Sequence, residues 1–479
     1  MDINSLSCKR VLFYFEQINK IPRGSGNEKK ISDYLYSFAK ERDLWVHQDS
    51  ANNIIIKKPA SKGYENAPSI AIQGHMDMVC EKNNAVEHNF LTDPIKVIYE
   101  DGFIHADGTT LGADDGIAVA MAMALLEAED ILHPAIEVVI TTDEEVGMCG
   151  ASSLDGSLLD SKILINIDSE EEGIFTVGCA GGRKVTATIP VFWKENSLPC
   201  YEIELKGLKG GHSGIDIIKE RANANKLMAR ALSLLSEKID FGIVGINGGA
   251  KDNAIPREAV AVISTLADFK SLCENISQIE QMLKKEFVIQ ESAISLIVKH
   301  TEACKYVFSR ETAKNVISFI MLVPNGVCTM NTQLNMAESS NNIGVVKTTA
   351  DEVKCTCAVR SSVVSRKELI YNQIQLLADL VGAKVEYRGD YPAWEFEQNS
   401  FIRSRFKEAF IEEFNVEPAV ETVHAGLECG IFAEKIKGMD MISFGPNLYD
   451  IHTPDEKAEI LSVERMWKLL LKVLESIKE

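Results

Sequence analysis

Three short apolar runs, residues 70–72, 135–142 and 162–167, each stop abruptly at carboxylates or a histidine. The first leads from Ser69 through Ile70, Ala71, Ile72, Gln73 and Gly74 into His75-Met76-Asp77; the second delivers Asp143-Glu144-Glu145; the third delivers Asp168. Runs this short and this rich in β-branched residues read as buried strands. Residues 116–126, apolar at nearly every position, read as a buried helix. Strands alternating with helices predict an α/β fold whose sheet has parallel character. In such sheets ligands bind beyond the carboxyl ends of the strands, which is where the acids fall. Residues two apart on a strand share a face, so His75 and Asp77 point into one space. A carboxylate there orients a metal-ligating imidazole and raises its basicity.

A chain of 479 residues exceeds one ordinary core and predicts two or more domains. With 46% hydrophobic and 25% charged residues its composition is that of a globular protein. A formal charge of −20 with no basic block argues against nucleic acid or an anionic membrane as partner. No apolar run approaches the ~18–20 residues of a membrane span. Residues 1–42 carry charges throughout, so no signal peptide is expected. Eleven cysteines without paired spacing predict reduced thiols and a cytoplasmic home.

Helices are predicted over residues 11–40, with a break at Ile21-Pro22-Arg23-Gly24-Ser25-Gly26 and Asn27 capping the second. At Cys179-Ala180-Gly181-Gly182-Arg183 the texture changes to alternating strands and amphipathic helices, and after residue 392 it returns to helix, strand and helix. The expected organisation is a discontinuous first domain, 1–183 and 393–479, interrupted by an inserted α+β domain, 184–392.

Asp114 stands where a Gly-rich loop meets the buried helix; its plain reading is an N-cap, although the adjacent Asp115 is the more natural cap. Glu144 and Glu145 read as a surface turn unless two metal ions are present, in which case one carboxylate binds metal and the other takes a proton from the attacking water. A loop histidine such as His452 is ordinarily solvent-exposed. Together, however, His75, Asp114, Glu145, Asp168 and His452 suit two divalent ions sharing one carboxylate, with zinc the leading ion and cobalt or manganese compatible.

With these residues in place the chain resembles the di-zinc aminoacylhistidine (Xaa-His) dipeptidases, within the wider group of carboxypeptidase G- and aminoacylase-like metallopeptidases. The motifs are Gly74-His75-Met76-Asp77, Leu111-Gly112-Ala113-Asp114-Asp115-Gly116, Thr142-Asp143-Glu144-Glu145-Val146-Gly147, Asn166-Ile167-Asp168-Ser169-Glu170, Lys209-Gly210-Gly211-His212-Ser213-Gly214, Gly248-Gly249-Ala250-Lys251-Asp252-Asn253-Ala254-Ile255-Pro256, His424-Ala425-Gly426-Leu427-Glu428-Cys429-Gly430 and His452-Thr453-Pro454. The resemblance spans essentially the whole chain. It implies a zinc-peptidase-like mixed sheet flanked by helices, with the insert serving as a substrate-clamping lid and a possible homodimer contact. It also implies that His75 and Asp168 hold one zinc, Glu145 and His452 the other, and that Asp114 bridges. Asp115 stands where many bacterial members have Asn, so both acids stay candidates for the bridge. By the same resemblance Asp77 orients His75, Glu144 is the general base, and His212 stabilises the oxyanion. Asn253 and Arg360 receive the substrate's carboxylate, and His424 and Glu428 lie near its amine. The expected activity is hydrolysis of unblocked dipeptides; the rivals are a deacylase of N-acyl amino acids on the same fold and a non-catalytic peptide or metal binder.

Overall fold

The computed structural model describes residues 3–478. Two units emerge: Met1–Gly178, Phe396–Thr422 and Leu427–Glu479 form the first, and Cys179–Glu395 with Val423–Gly426 the second. The sequence reading ended the insert at 392 and left 423–426 with the first domain. Backbone pairing accounts for the difference: Cys179 and Trp394 exchange hydrogen bonds, and the Ala180 N–H donates to Val423 O.

The first unit is built on an eight-stranded mixed sheet. Its strand order is Trp45–Gln48, Ile54–Lys58, Ile136–Thr141, Ile70–His75, Ile163–Asn166, Asp440–Ser443, Ile174–Cys179, Ala419–Val423. Ile70–His75 runs parallel to both Ile136–Thr141 and Ile163–Asn166, and Asp440–Ser443 runs parallel to Ile163–Asn166. Every residue of Ile70–His75, Ile136–Thr141 and Ile163–Asn166 is buried, as a parallel sheet covered on both faces requires. The parallel register brings the three carboxyl ends to one edge, so His75, the Glu144-Glu145 pair and Asp168 arrive together. The Ala113–Glu127 helix lies against Ile70–His75, buried from Gly116 to Leu126. Gly74 permits the approach, because a Cβ there would run into the Asp115 carboxylate and the Ala118 methyl.

The helix breaks near residue 21 as expected, into Lys9–Ile18 and Lys29–Lys40. Asn27 does not cap the second: Glu28 occupies that position, and its side chain instead accepts N–H bonds from Gly26 and Asp143. Asp115 is no cap either. Gly112, with φ of 68°, takes the cap position, Asp114 and Asp115 are non-helical, and the peptide bond between them is cis.

The second unit is a nine-stranded sheet packed by the helices Ala224–Ser236, Phe269–Glu286, Arg310–Leu322 and Val364–Leu380. Its strand pairs are antiparallel. The alternating burial of Glu352–Ser361 matches its period-2 sequence: Val353, Cys355, Cys357 and Val359 face the core. Asn223 caps the first of these helices, accepting N–H bonds from Asn225 and Lys226.

Candidate metal centre

His75, Asp114, Glu145, Asp168 and His452 meet at the carboxyl edge of the first unit's sheet. Asp114 is central: its Oδ1 lies 3.2 Å from His75 Nε2 and its Oδ2 lies 3.0 Å from His452 Nε2. Asp168 Oδ1 is 3.5 Å from His75 Nε2, and Glu145 Oε1 is 2.9 Å from His452 Nε2. Each imidazole nitrogen therefore faces two carboxylate oxygens, while one N–H serves only one acceptor well. A divalent cation in each cluster would satisfy the nitrogen and both oxygens at once, and Asp114 belongs to both clusters. The donors are the imidazole and carboxylate mixture that zinc accepts. His75 with Asp114 and Glu145, and His75 with Asp115 and Asp168, also form groups compact enough to share an ion. Asp115, however, already accepts the His75 backbone N–H through Oδ2 at 3.1 Å. Of the two candidate bridges, it is Asp114 whose two oxygens are divided between the two histidines.

Around this set, Asp77 Oδ1 sits 3.3 Å from His75 Nδ1. The Asp77 carboxylate accepts the Ser25 hydroxyl at 2.8 Å and the backbone N–H groups of Glu144 and Glu145 at 3.1 and 3.3 Å. One buried carboxylate thus stands beside the ring of His75 and accepts from the turn that carries the glutamate pair.

The electrostatics are those of an anionic pocket. Burial, reinforced by Asp168, Glu428 and Glu145, pushes Glu144 up to about 9. Burial, with Asp114 and Glu145, pushes Asp168 up to about 6 against the opposing pull of His75. Asp114 is held well below the usual carboxylate range, because its bonds to His452 and His75 outweigh its burial. Bonds to Asp114 and Glu145 raise His452 to about 10.

Glu428 is fully buried, not presented on an open face. Its Oε2 accepts from Gln73 Nε2 and Thr141 Oγ1, both at 2.6 Å, and Asn166 Nδ2 donates to Gln73 Oε1 at 2.6 Å. Gln73, Thr141 and Asn166 come from three adjacent strands and, with Glu428 at the start of the helix Glu428–Lys435, form a buried polar layer. Burial raises the Glu428 carboxyl to about 8. Nothing in the sequence marked Gln73 as a polar group destined for a core: it sits in a strand interior where apolar residues are the rule, whereas Asn166 closes its strand.

His212, Asn253, Arg360 and His424 belong to the second unit. His212 pairs with Ala254 across a two-residue ladder, and the Ser213 N–H donates to Asn253 O at 2.9 Å. Backbone N–H groups of Gly214 and Ile215 approach His212 Nδ1 at 3.3 and 3.2 Å. Nδ1 is therefore the acceptor, and a neutral ring carries its proton on Nε2. Burial and Arg360 both lower the His212 pKa, favouring that neutral form. Arg360 is 8% exposed and its Nη1 donates to Tyr391 Oη at 2.9 Å. Gly182, opposite both Arg360 and Tyr391, leaves room for the tyrosine ring that a Cβ would displace. Ser340 lies opposite Arg360, and its hydroxyl is 2.7 Å from His424 Nε2. Burial, then Arg360 and His212, depress His424 to about 4. Tyr391 and Ser340 escaped the sequence reading because an isolated hydroxyl on a strand carries no signal of its own.

Residues 71–476 match the sequence model of peptidase family M20/M25/M40. The cytosol non-specific dipeptidase of Escherichia coli K12 is 38% identical over 482 residues, covering 99% of each chain. The crystal structure of an aminoacylhistidine dipeptidase from Vibrio alginolyticus superposes with a TM-score of 0.95 at 37% identity, covering 100% of this chain and 99% of that one. An aminopeptidase from Bacillus cereus shares the fold, with a TM-score of 0.58 at 18% identity over 99% of this chain and 100% of that one.

Proposed function

The chain belongs to peptidase family M20/M25/M40, and on that premise we infer that it is a two-metal dipeptidase. It hydrolyses the peptide bond of unblocked dipeptides with broad side-chain preference, Xaa-His substrates among them. The observation that carries this reading is the division of Asp114's two oxygens between two histidines, with a second glutamate, Glu144, directly before Glu145.

In this reading His75, Asp168 and Asp114 hold one divalent ion, zinc by preference, and Glu145, His452 and Asp114 the other. Such ions, when bound, would supply Lewis acidity toward the scissile carbonyl and lower the pKa of a bound water toward neutrality. Glu144 takes a proton from the attacking water as its oxygen adds to the carbonyl carbon. Glu144 feels the charges of His75, Asp168 and Glu145, which puts its carboxyl beside the metal-binding set, where a proton acceptor is needed. When the carbon–nitrogen bond breaks, Glu144 returns that proton to the leaving amine. Asp77 fixes the backbone of Glu144, so the base keeps its place through both transfers.

From the second unit, the His212 Nε2–H donates to the oxyanion, and Arg360 with Asn253 receives the substrate's carboxylate. Arg360 suits that role, because its guanidinium is buried against a tyrosine hydroxyl and offers a bidentate fork to a carboxylate. His424, expected near the substrate's amine, is hydrogen-bonded to Ser340, which lies opposite Arg360. Glu428 is assigned to the buried layer, not to the substrate amine. No disulfide joins the described cysteines, which fits a reducing cytoplasm. No helix among the described residues is long and apolar enough to cross a membrane. A homodimer through the second unit is part of this proposal; the exposed Leu369, Leu376 and Leu380 on Val364–Leu380 support it. Chelator-sensitive hydrolysis of unblocked dipeptides, and its dependence on Glu144, tests the reading.

A further inference from the structure

His452 is the least supported of the five metal-binding side chains. Its side chain is 44% exposed, against 1% for His75, 12% for Asp114, 8% for Glu145 and 10% for Asp168. The other histidine ends a buried strand, whereas His452 occupies a left-handed position, φ 61°, in the loop 450–456 of a short hairpin. Within that loop the bonds are local. The Thr453 hydroxyl donates to Asp450 O, the Asp455 N–H to Thr453 Oγ1, and the Glu456 N–H to Thr453 O.

Glu456, the last residue of the loop, is 2% exposed and reaches across to the segment carrying Asp114. Its Oε2 accepts the N–H groups of Leu111 and Gly112 at 2.7 and 3.0 Å, and its Oε1 that of Ala113 at 2.8 Å and, more weakly, that of Asp114 at 3.4 Å. Arg23, from the break between the first two helices, completes the tie from the other side. Its Nη2 donates to Gly112 O at 2.5 Å and its Nη1 to Met76 O and Asp77 O at 3.0 and 3.3 Å.

We propose that Glu456 is a positioning residue that locks the His452 loop to the Asp114 loop and thereby sets the affinity of the metal position formed by His452, Glu145 and Asp114. The inference rests on the two-ion reading above. Only a carboxylate presents acceptors at both ends; a glutamine of the same length turns an NH2 group against backbone N–H donors and forfeits half of the bonds. The other position loses less, because its two ligands other than Asp114 do not depend on Glu456: His75 ends a buried strand whose next carbonyl, Met76 O, Arg23 holds, and Asp168 follows the adjacent buried strand.

The test is calorimetric titration of the metal-free, full-length chain with zinc chloride, for wild type, Glu456→Gln and Glu456→Asp. Wild type takes up two equivalents. Glu456→Gln keeps one equivalent at wild-type affinity and weakens the second at least tenfold, while Glu456→Asp, which retains both acceptors, weakens it less. A merely structural role lowers the thermal midpoint without separating the two affinities. A folded Glu456→Gln chain that binds both ions as tightly as wild type, or loses both equally, overturns the proposal. If that variant fails to fold, wild-type affinity for both ions in Glu456→Asp overturns it. Failure of wild type to bind two ions overturns the two-ion reading itself, and is seen before any variant is titrated.

Discussion

Acid destabilises the second unit through His424. The folded environment depresses this imidazole from its ordinary 6.5 to about 4, by burial first and by Arg360 and His212 after it. The folded state therefore binds fewer protons than the unfolded chain between these values. The stability tied to the neutral ring is fully present above pH 6.5 and is lost as pH falls toward 4. At about 1.4 kcal/mol per pH unit the whole interval is worth about 3 kcal/mol, of which about 2 kcal/mol is gone by pH 5. The 6% exposure of the residue leaves little solvent to screen the effect. The perturbation is His424→Gln, which keeps a donor for the Ser340 hydroxyl and removes the titration. Urea unfolding of the metal-loaded chain is followed at pH 7.5 and pH 5.0 for both proteins. Groups that titrate elsewhere, including the metal-binding set, cancel in the difference. Between the two pH values wild type loses about 2 kcal/mol more than the variant. Equal losses refute the argument, because they leave His424 free to protonate inside the fold at no cost.

Two perturbations address the roles of single side chains. Arg360→Ala removes a charge-assisted contact of about 1.5–3 kcal/mol, so kcat/KM for dipeptides falls roughly 10–150-fold, chiefly through KM, whereas a dipeptide amide without the terminal carboxylate is unaffected. A uniform loss on both substrates contradicts the assigned role. Asp77→Asn replaces the carboxylate 3.3 Å from His75 Nδ1, and the affinity of one metal position falls about 10–100-fold in a titration monitored by bound zinc. Unchanged affinity removes Asp77 from the orientation of His75.

What was legible in the sequence follows from where chemistry sits on an α/β sheet. His75, Glu145 and Asp168 were visible because each interrupts an apolar run at the point where a buried strand ends, and parallel pairing then converges those ends. Asp114 was visible through its Gly-rich loop. The role of Asp115 was not, because helix-capping propensity says nothing about a backbone N–H 40 residues away that competes for the same carboxylate. Asn27 failed as a cap for a similar reason: its neighbour Glu28 takes the cap position and is held there by bonds to two backbone N–H groups. Glu428 lies in a Gly-rich segment, which suggests exposure, but its segment opens a helix that buries the carboxyl against Gln73 and Thr141. Arg23 and Glu456 were the least legible. The first sat in a stretch read only as a helix break, and the second joins segments more than 340 residues apart in the chain. Local patterns encode elements; bonds of that span depend on the assembled fold.

The most direct measurement of the central claim is hydrolysis of a small panel by the metal-supplied protein: beta-Ala-His, Gly-His, Ala-Ala, Leu-Gly-Gly and N-acetyl-Ala. Each substrate is repeated after chelation and with Glu144→Ala whose bound metal has been counted. The account predicts cleavage of the dipeptides alone, abolished by chelation and lost in Glu144→Ala at full metal content. Cleavage confined to N-acetyl-Ala, or dipeptide turnover undiminished in the Glu144→Ala protein, contradicts it.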